Sequence, residues 1–150
     1  MRNVSWCTQA ALMLGLALLC AGCGGGELSA SALSKQADSV RSLAAEGALL
    51  AKDASGGKTT RTFARIHSSD LEKVASQTAS SLKTAKTTPG LESKLHRLAT
   101  VARGVSDELD RLGSASEGEQ RTLANELRRA ADQSNQISEE IGRASCRERV

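Results

Sequence analysis

The chain has 150 residues, which allows one domain of ordinary size. It contains one Phe, one Trp and no Tyr, so any core must be built from Leu, Ala, Val and Ile. The formal net charge is +3, but residues 24–140 hold 16 basic and 16 acidic side chains, a balance that argues against a nucleic-acid-binding surface.

The first 22 residues have the pattern of a secretion signal. Arg2 precedes an apolar run at 10–19, which is shorter than the roughly 20 residues that a membrane-spanning helix needs. Two small residues, Ala21 and Gly22, then precede Cys23. This order resembles the lipobox of bacterial lipoproteins, with one departure: Cys20 stands where that family usually has Leu.

The resemblance implies that a peptidase cleaves between Gly22 and Cys23 and that the Cys23 thiol carries a diacylglyceryl group. Two acyl chains form a stable anchor, so membership would place the protein in a bacterial membrane on its extracytoplasmic side. Residues 23–27 would form the lipidated Cys and a Gly-rich tether. Gly24 after the lipidated Cys would imply the outer membrane in an organism that has one.

A second interpretation of the same residues is a C-x-x-C pair, Cys20 and Cys23. Redox pairs of this spacing follow a strand and open a helix, and zinc sites need a second pair. Neither context is present in the sequence, so the spacing does not indicate a redox or metal site.

The last ten residues, IGRASCRERV, resemble the in-frame translation of a common sequencing adapter. This similarity predicts that residues 141–150 are a non-native tail, that the helical bundle covers residues 28–140 and that the natural C-terminus is missing; the alternative is a genuine basic tail. Cys146 would then be foreign, and the domain would contain neither a free thiol nor a disulfide.

Four amphipathic segments fill the domain, at 28–54, 61–86, 89–112 and 117–140. The third has the clearest apolar repeat, with spacings of four and three residues maintained over three heptads. The second is less apolar, and its expected inner positions are Phe63, His67, Leu71, Val74, Thr78, Leu82 and Ala85. Short connections predict an all-α, up-down four-helix bundle; the alternative is a pair of long helical hairpins that dimerises.

The segment boundaries carry capping signals. Gly56 and Gly57 end the first helix, and Ser116 with Glu119 has the spacing of a capping box at the start of the fourth. At the third helix, Thr88 is expected as the N-cap residue with Pro89 in the first helical position.

Lys58, Arg61 and Arg65 cluster at the expected start of the second helix, where backbone N–H groups already favour anions. They are therefore candidate anion-binding residues; the alternative is a solvated basic turn. A phosphate-binding P-loop is excluded, because position 52, where its first glycine belongs, is a lysine.

No metal site, cofactor or catalytic residue is predicted. The two histidines, His67 and His96, are expected about 20 Å apart from the helical rise, too far to share a metal ion. The sequence therefore predicts a non-enzymatic lipoprotein with a binding or scaffolding role, whose partner is an envelope protein or an anionic polymer and not nucleic acid. The alternative is a receptor for a small anion or ligand that uses the Lys58–Arg65 region.

Overall fold

The computed structural model describes residues 27–147, with side chains through residue 144. The lipobox residues Gly22 and Cys23 lie outside this range. Within it, four helices follow one another: α1 (Ala30–Ser55), α2 (Arg61–Thr84), α3 (Glu92–Leu112) and α4 (Glu117–Arg147). They form the expected all-α, up-down bundle within a single chain.

The four helices do not pack equally. α1 packs chiefly against α4, and α2 chiefly against α3; α3 also contacts α4, and α1 contacts α2 more sparsely. Of the two diagonal pairs in the bundle, α1 and α3 contact each other, whereas α2 and α4 do not. Three helices therefore surround α1, but α2 has only one extensive neighbour.

Small residues on α1 let the other helices approach closely. A Cβ atom placed on Gly47 would lie 2.6 Å from Leu109 Cδ2 on α3 and 3.2 Å from Leu127 Cδ1 on α4. Alanines occupy the neighbouring inner positions of α1, among them Ala44, Ala48 and Ala51. The fully buried side chains that surround this point include Leu33, Leu98, Leu109, Leu123 and Leu127. Burial of such side chains is the main favourable contribution to folding in a core without aromatic rings.

Polar contacts set the register of the α1–α4 pair. The hydroxyl groups of Ser34 and Ser138 are 2.9 Å apart, and Arg41 Nη1 donates to Asn135 Oδ1 at 2.7 Å. Ser134 is fully buried on α4, and its hydroxyl donates to the Ala130 carbonyl within the same helix. A buried hydroxyl satisfied in this way leaves no unpaired group in the interface.

The start of α3 differs from the expectation. The helix begins at Glu92, so the prediction of Thr88 as N-cap and Pro89 as first helical residue was wrong. The Leu91 N–H donates to the Thr88 carbonyl at 3.2 Å, and Gly90 has a φ of +91°. A type II β-turn favours proline at its second position and a glycine with positive φ at its third. Residues 88–91 therefore form a β-turn, and the helix begins after it.

The predicted capping signals at Gly56 and at Ser116 with Glu119 are confirmed, and α1 and α2 also have N-caps that were not predicted. Ser29 Oγ and Thr60 Oγ1 each accept a backbone N–H, from Ala32 and Phe63. At α4, the Glu119 carboxylate accepts hydrogen bonds from the backbone N–H and hydroxyl of Ser116, at 2.9 and 2.8 Å. Each contact satisfies donors at a helix start that have no partner within the helix.

α4 continues beyond Glu140 to Arg147, and the side chain of Ile141 is buried in the core. The foreign origin of residues 141–150 stays a prediction, because an apolar residue at the right helical position packs inward whatever its source.

The inner face of α2 is displaced from the predicted one. Its buried positions are Ala64, Ser68, Leu71, Ala75 and Leu82. Of the expected inner residues, Leu71 and Leu82 are buried, whereas Phe63 and Val74 are exposed. Three of the five buried residues are small, which lets α2 and α3 approach closely, while the large side chains of Phe63, Ile66 and Val74 lie outside.

Candidate functional site

The predicted basic cluster lies at the end of the bundle formed by the α1–α2 turn (56–60) and the α3–α4 turn (113–116). We call this the far end. Lys58 Nζ is 3.9 Å from Asp53 Oδ1; Lys58 is exposed and Asp53 is partly buried. The stem of Arg65 lies beside Gly113 on the α3 side. Among the described side chains, neither Arg61 nor Arg65 forms an ion pair. The three cations therefore share one end but do not converge on one point.

A cleft of about 580 Å³ opens between the α1–α2 turn and the start of α4, a volume in the range of small-molecule sites. Of the three predicted residues, only Arg61 lines it, opposite Glu117, Gln120 and Arg121. Arg121 is paired with Glu117 on its own helix. The surplus charge in the cleft is therefore that of Arg61.

The N-terminus of α4, beside this cleft, already holds an anion of its own. Hydrogen bonds from the Ser116 backbone N–H and hydroxyl hold the pKa of Glu119 below its usual value. The carboxylate occupies the position that an external anion would take at a helix N-terminus. An external anion in the cleft would therefore bind chiefly to the side chain of Arg61 and not to backbone N–H groups of α4.

A second groove, of about 480 Å³, runs between α1 and α4. Its floor is apolar and made largely of alanines, and Leu49 on its border is 58% exposed. Charged residues of both signs surround the floor, namely Arg41, Lys52, Arg128 and Asp132. Sequence reasoning missed this groove. The signal for it is the close spacing of Ala44, Ala45 and Ala48, because alanines leave a depression on a helix surface.

Sequence reasoning also missed a carboxylate pair between α3 and α4. Glu108 and Glu126 line a cleft of about 270 Å³, and each has one buried Oε2 atom without a hydrogen-bond partner. Burial and the neighbouring charge of Glu126 raise the pKa of Glu108 to about 7, with Asp107 adding to the rise and Arg111 opposing it. A carboxyl group with such a pKa can hold a proton at neutral pH. The pair becomes recognisable only when the two helices are placed side by side.

The exposed face of α2 carries three large apolar side chains. Phe63, Ile66 and Val74 are 54%, 57% and 49% exposed, and their spacing places them on one side of the helix. We call these three residues the α2 patch. The Phe63 ring stacks on His67, with ring centroids 5.4 Å apart. His67 in turn contacts α1, where its Nε2 lies 2.9 Å from Glu46 Oε1.

The histidines lie apart, His67 against α1 and His96 exposed on α3. Within residues 27–147, no group of three or more His, Cys, Asp or Glu side chains is arranged to hold a metal ion. No helix in the described part of the chain has both the length and the apolarity to cross a membrane. No protein-family model, curated protein or solved structure matches the chain.

Proposed function

We propose that the protein is a lipid-anchored binding or scaffolding protein of the bacterial cell envelope. In this proposal Cys23 provides the anchor and the α2 patch contacts a partner protein. The lipobox supports the anchor, since a thiol directly after two small residues is the substrate of lipidation. The role is a non-enzymatic one, in which the bundle serves as a rigid support for its binding surface.

The observation that carries the binding role is the α2 patch. Exposure of three large apolar side chains to water is unfavourable. Their burial against a partner would stabilise the complex by about 25 cal/mol per Å² of apolar surface removed from water. Arg61 and Arg65 lie on the same two turns as Phe63 and Ile66. Aromatic and arginine side chains are the residues enriched in binding hot spots.

The anchor is tested by replacing the proposed lipidation site. Wild-type protein should incorporate radiolabelled palmitate and fractionate with membranes, and Cys23→Ala should lose the label and leave the membrane fraction. Cys7→Ala is the matched control, because that residue would be removed with the signal peptide. Membrane association of Cys23→Ala equal to wild type would contradict the anchor.

The patch is tested with a photocrosslinking amino acid at Ile66. We expect a discrete adduct with an envelope protein from this position and none from Gln136, an exposed position on α4. Phe63→Ser should weaken the adduct at position 66, because it removes the neighbouring apolar contact. Equal adduct yields from positions 66 and 136 would contradict the binding role of the patch. An adduct of twice the protein's own mass would identify a second copy as the partner.

A second candidate function is supported by Arg61, which lines the far-end cleft and forms no ion pair with any side chain that the structure describes. In this case the protein is a receptor for a small anion or an anionic glycan. Phosphate or the glycan should raise the melting temperature of wild type, and the double variant Arg61→Ala, Arg65→Ala should abolish the rise. Arg103→Ala, an exposed arginine in the middle of α3, is the control. Unchanged melting with every anion would exclude this function.

A further inference from the structure

The chain enters the bundle at a defined point, opposite the far end. The Leu28 N–H donates to the Lys86 carbonyl at 2.7 Å, and the Thr87 hydroxyl donates to the Leu28 carbonyl at 2.8 Å. Thr87 is buried, and Leu28 packs against the core. Leu28 is thereby attached to the α2–α3 turn (85–91), which we call the near end.

The attachment limits how far the near end can lie from an anchor at Cys23. Five peptide units separate Cys23 from Leu28, and they span at most about 18 Å in any conformation. The far end lies a full helix length beyond Leu28, about 36 Å for the 24 residues of α2. A lipid at Cys23 therefore keeps the near end beside the bilayer surface, whereas no such limit holds the far end there.

Three lysines surround the attachment point. Lys83 and Lys86 are exposed, and Lys94 is half-buried with its Nζ 3.4 Å from the Gly90 carbonyl. Within the described part of the chain, none of the three forms an ion pair. Two exposed carboxylates belong to the same region, Glu92 two residues before Lys94 on α3 and Glu27 next to Leu28 at the attachment point, so the lysines outnumber them. The near end around this turn is therefore basic.

We infer that Lys83, Lys86 and Lys94 contact the anionic phospholipid headgroups of the leaflet in which Cys23 is anchored. The inference rests on the proposed lipid anchor and adds the orientation of the domain. Each lysine at an anionic surface strengthens association about fivefold, and the attraction fades within a Debye length of about 8 Å. A tether of at most about 18 Å lets the near end come within this distance of the leaflet, and no comparable restraint holds the far end there.

The orientation has a consequence for the far end. Lys58, Arg61 and Arg65 point away from the anchoring membrane, so an anionic partner of these residues belongs to the envelope space and not to the leaflet that holds Cys23. The α2 patch begins near the far end, at Phe63, and is likewise directed towards a partner outside that membrane.

Lysine acetylation read by mass spectrometry tests this orientation in the lipidated full chain reconstituted into vesicles. In vesicles that contain phosphatidylglycerol, Lys83, Lys86 and Lys94 should be labelled at least about threefold more slowly than in neutral phosphatidylcholine vesicles. High salt should remove the difference. Lys52 and Lys58 near the far end serve as controls in the same molecule, and their labelling should not depend on the lipid.

The outcomes separate the inference from the anchor on which it rests. Protein that fails to float with either vesicle refutes the anchor and the orientation together. Protein that floats with both vesicles but shows equal protection at the two ends, or no lipid dependence, refutes the orientation alone. A third sample, neutral vesicles with inorganic phosphate, should show no protection; protection there would identify a phosphate site and overturn the headgroup assignment.

Discussion

α4 and α2 are both amphipathic helices of one bundle, yet they use their apolar residues in opposite ways. On α4, Leu123, Leu127, Ala130, Ser134 and Ile137 follow one another at spacings of four and three residues, and all are buried. On α2, Phe63 and Val74 were predicted at inner positions and are exposed, while Ala64 and Ala75 are buried in their place. The contrast shows that an apolar residue on a helix is not by itself a core residue.

The difference follows from the neighbours of each helix. α4 packs extensively on α1 and also contacts α3, so a wide sector of its surface is covered. α2 packs extensively only on α3, and the short α1–α3 diagonal keeps it away from α4. Only a narrow stripe of α2 is covered, and small residues fill it because the helices there lie close together.

The largest expected effect comes from truncating the core of α4. Leu127 is fully buried, and Leu127→Ala should lower the free energy of unfolding by about 3 kcal/mol through lost burial and the cavity left behind. Phe63→Ala on α2 removes a larger side chain but should cost less than about 0.5 kcal/mol, because that ring is half exposed. Urea unfolding followed by circular dichroism measures both. Equal losses would show that the contrast between the two helices is wrong.

A smaller effect is expected from adding one methyl group. Gly47→Ala should destabilise the protein by about 1 kcal/mol, because the new Cβ meets Leu109 and Leu127 in the core and the gain in helix propensity offsets only part of the strain. Gly104→Ala on α3 is the matched control, since a Cβ there meets nothing within 4 Å. It should stabilise the helix by roughly 0.5–1 kcal/mol. Thermal unfolding of the two variants should therefore shift in opposite directions.

The last expected effect is a pH dependence at the α3–α4 contact, no larger than the effect of Gly47→Ala. The pKa of Glu108 is about 7 in the folded chain against a model value of 4.5, so the folded state binds the proton more tightly. The contribution of Glu108 to stability is therefore fully present below pH 4.5 and is lost as the pH rises through about 7. Because Glu108 is half exposed, we expect a fall of only about 1 kcal/mol between pH 5 and pH 8.

Glu108→Gln should flatten this pH dependence, and Glu126→Gln should reduce it, because the charge of Glu126 is the second cause of the raised pKa. Glu119 gives the opposite pH dependence. Its pKa is lowered in the folded chain, so its contribution to stability is lost as the pH falls into a more acidic range. Melting temperatures between pH 5 and pH 8 thus isolate Glu108. A wild-type slope retained in Glu108→Gln would show that another group is responsible.

Much of the fold was predictable because its signals are local. The repeats at 3.6-residue spacing located all four helices, and the capping box at Ser116 and Glu119 marked the start of α4. The start of α3 was not predictable, because Thr88, Pro89 and Gly90 are compatible with both a helix N-terminus and a β-turn. Of the candidate site, the shared location of Lys58, Arg61 and Arg65 was predictable, but their separate surroundings were not.

The sequence by itself determined the helices, their order and the near-neutral charge of the domain, because each depends on residues that are close together along the chain. Tertiary structure alone decided which side of α2 is buried, since this depends on distances between helices that no local pattern contains. It also decided that Glu108 lies beside Glu126 and that Leu28 joins the α2–α3 turn. Burial and the approach of residues distant in sequence create these features, and both arise only when the bundle is assembled.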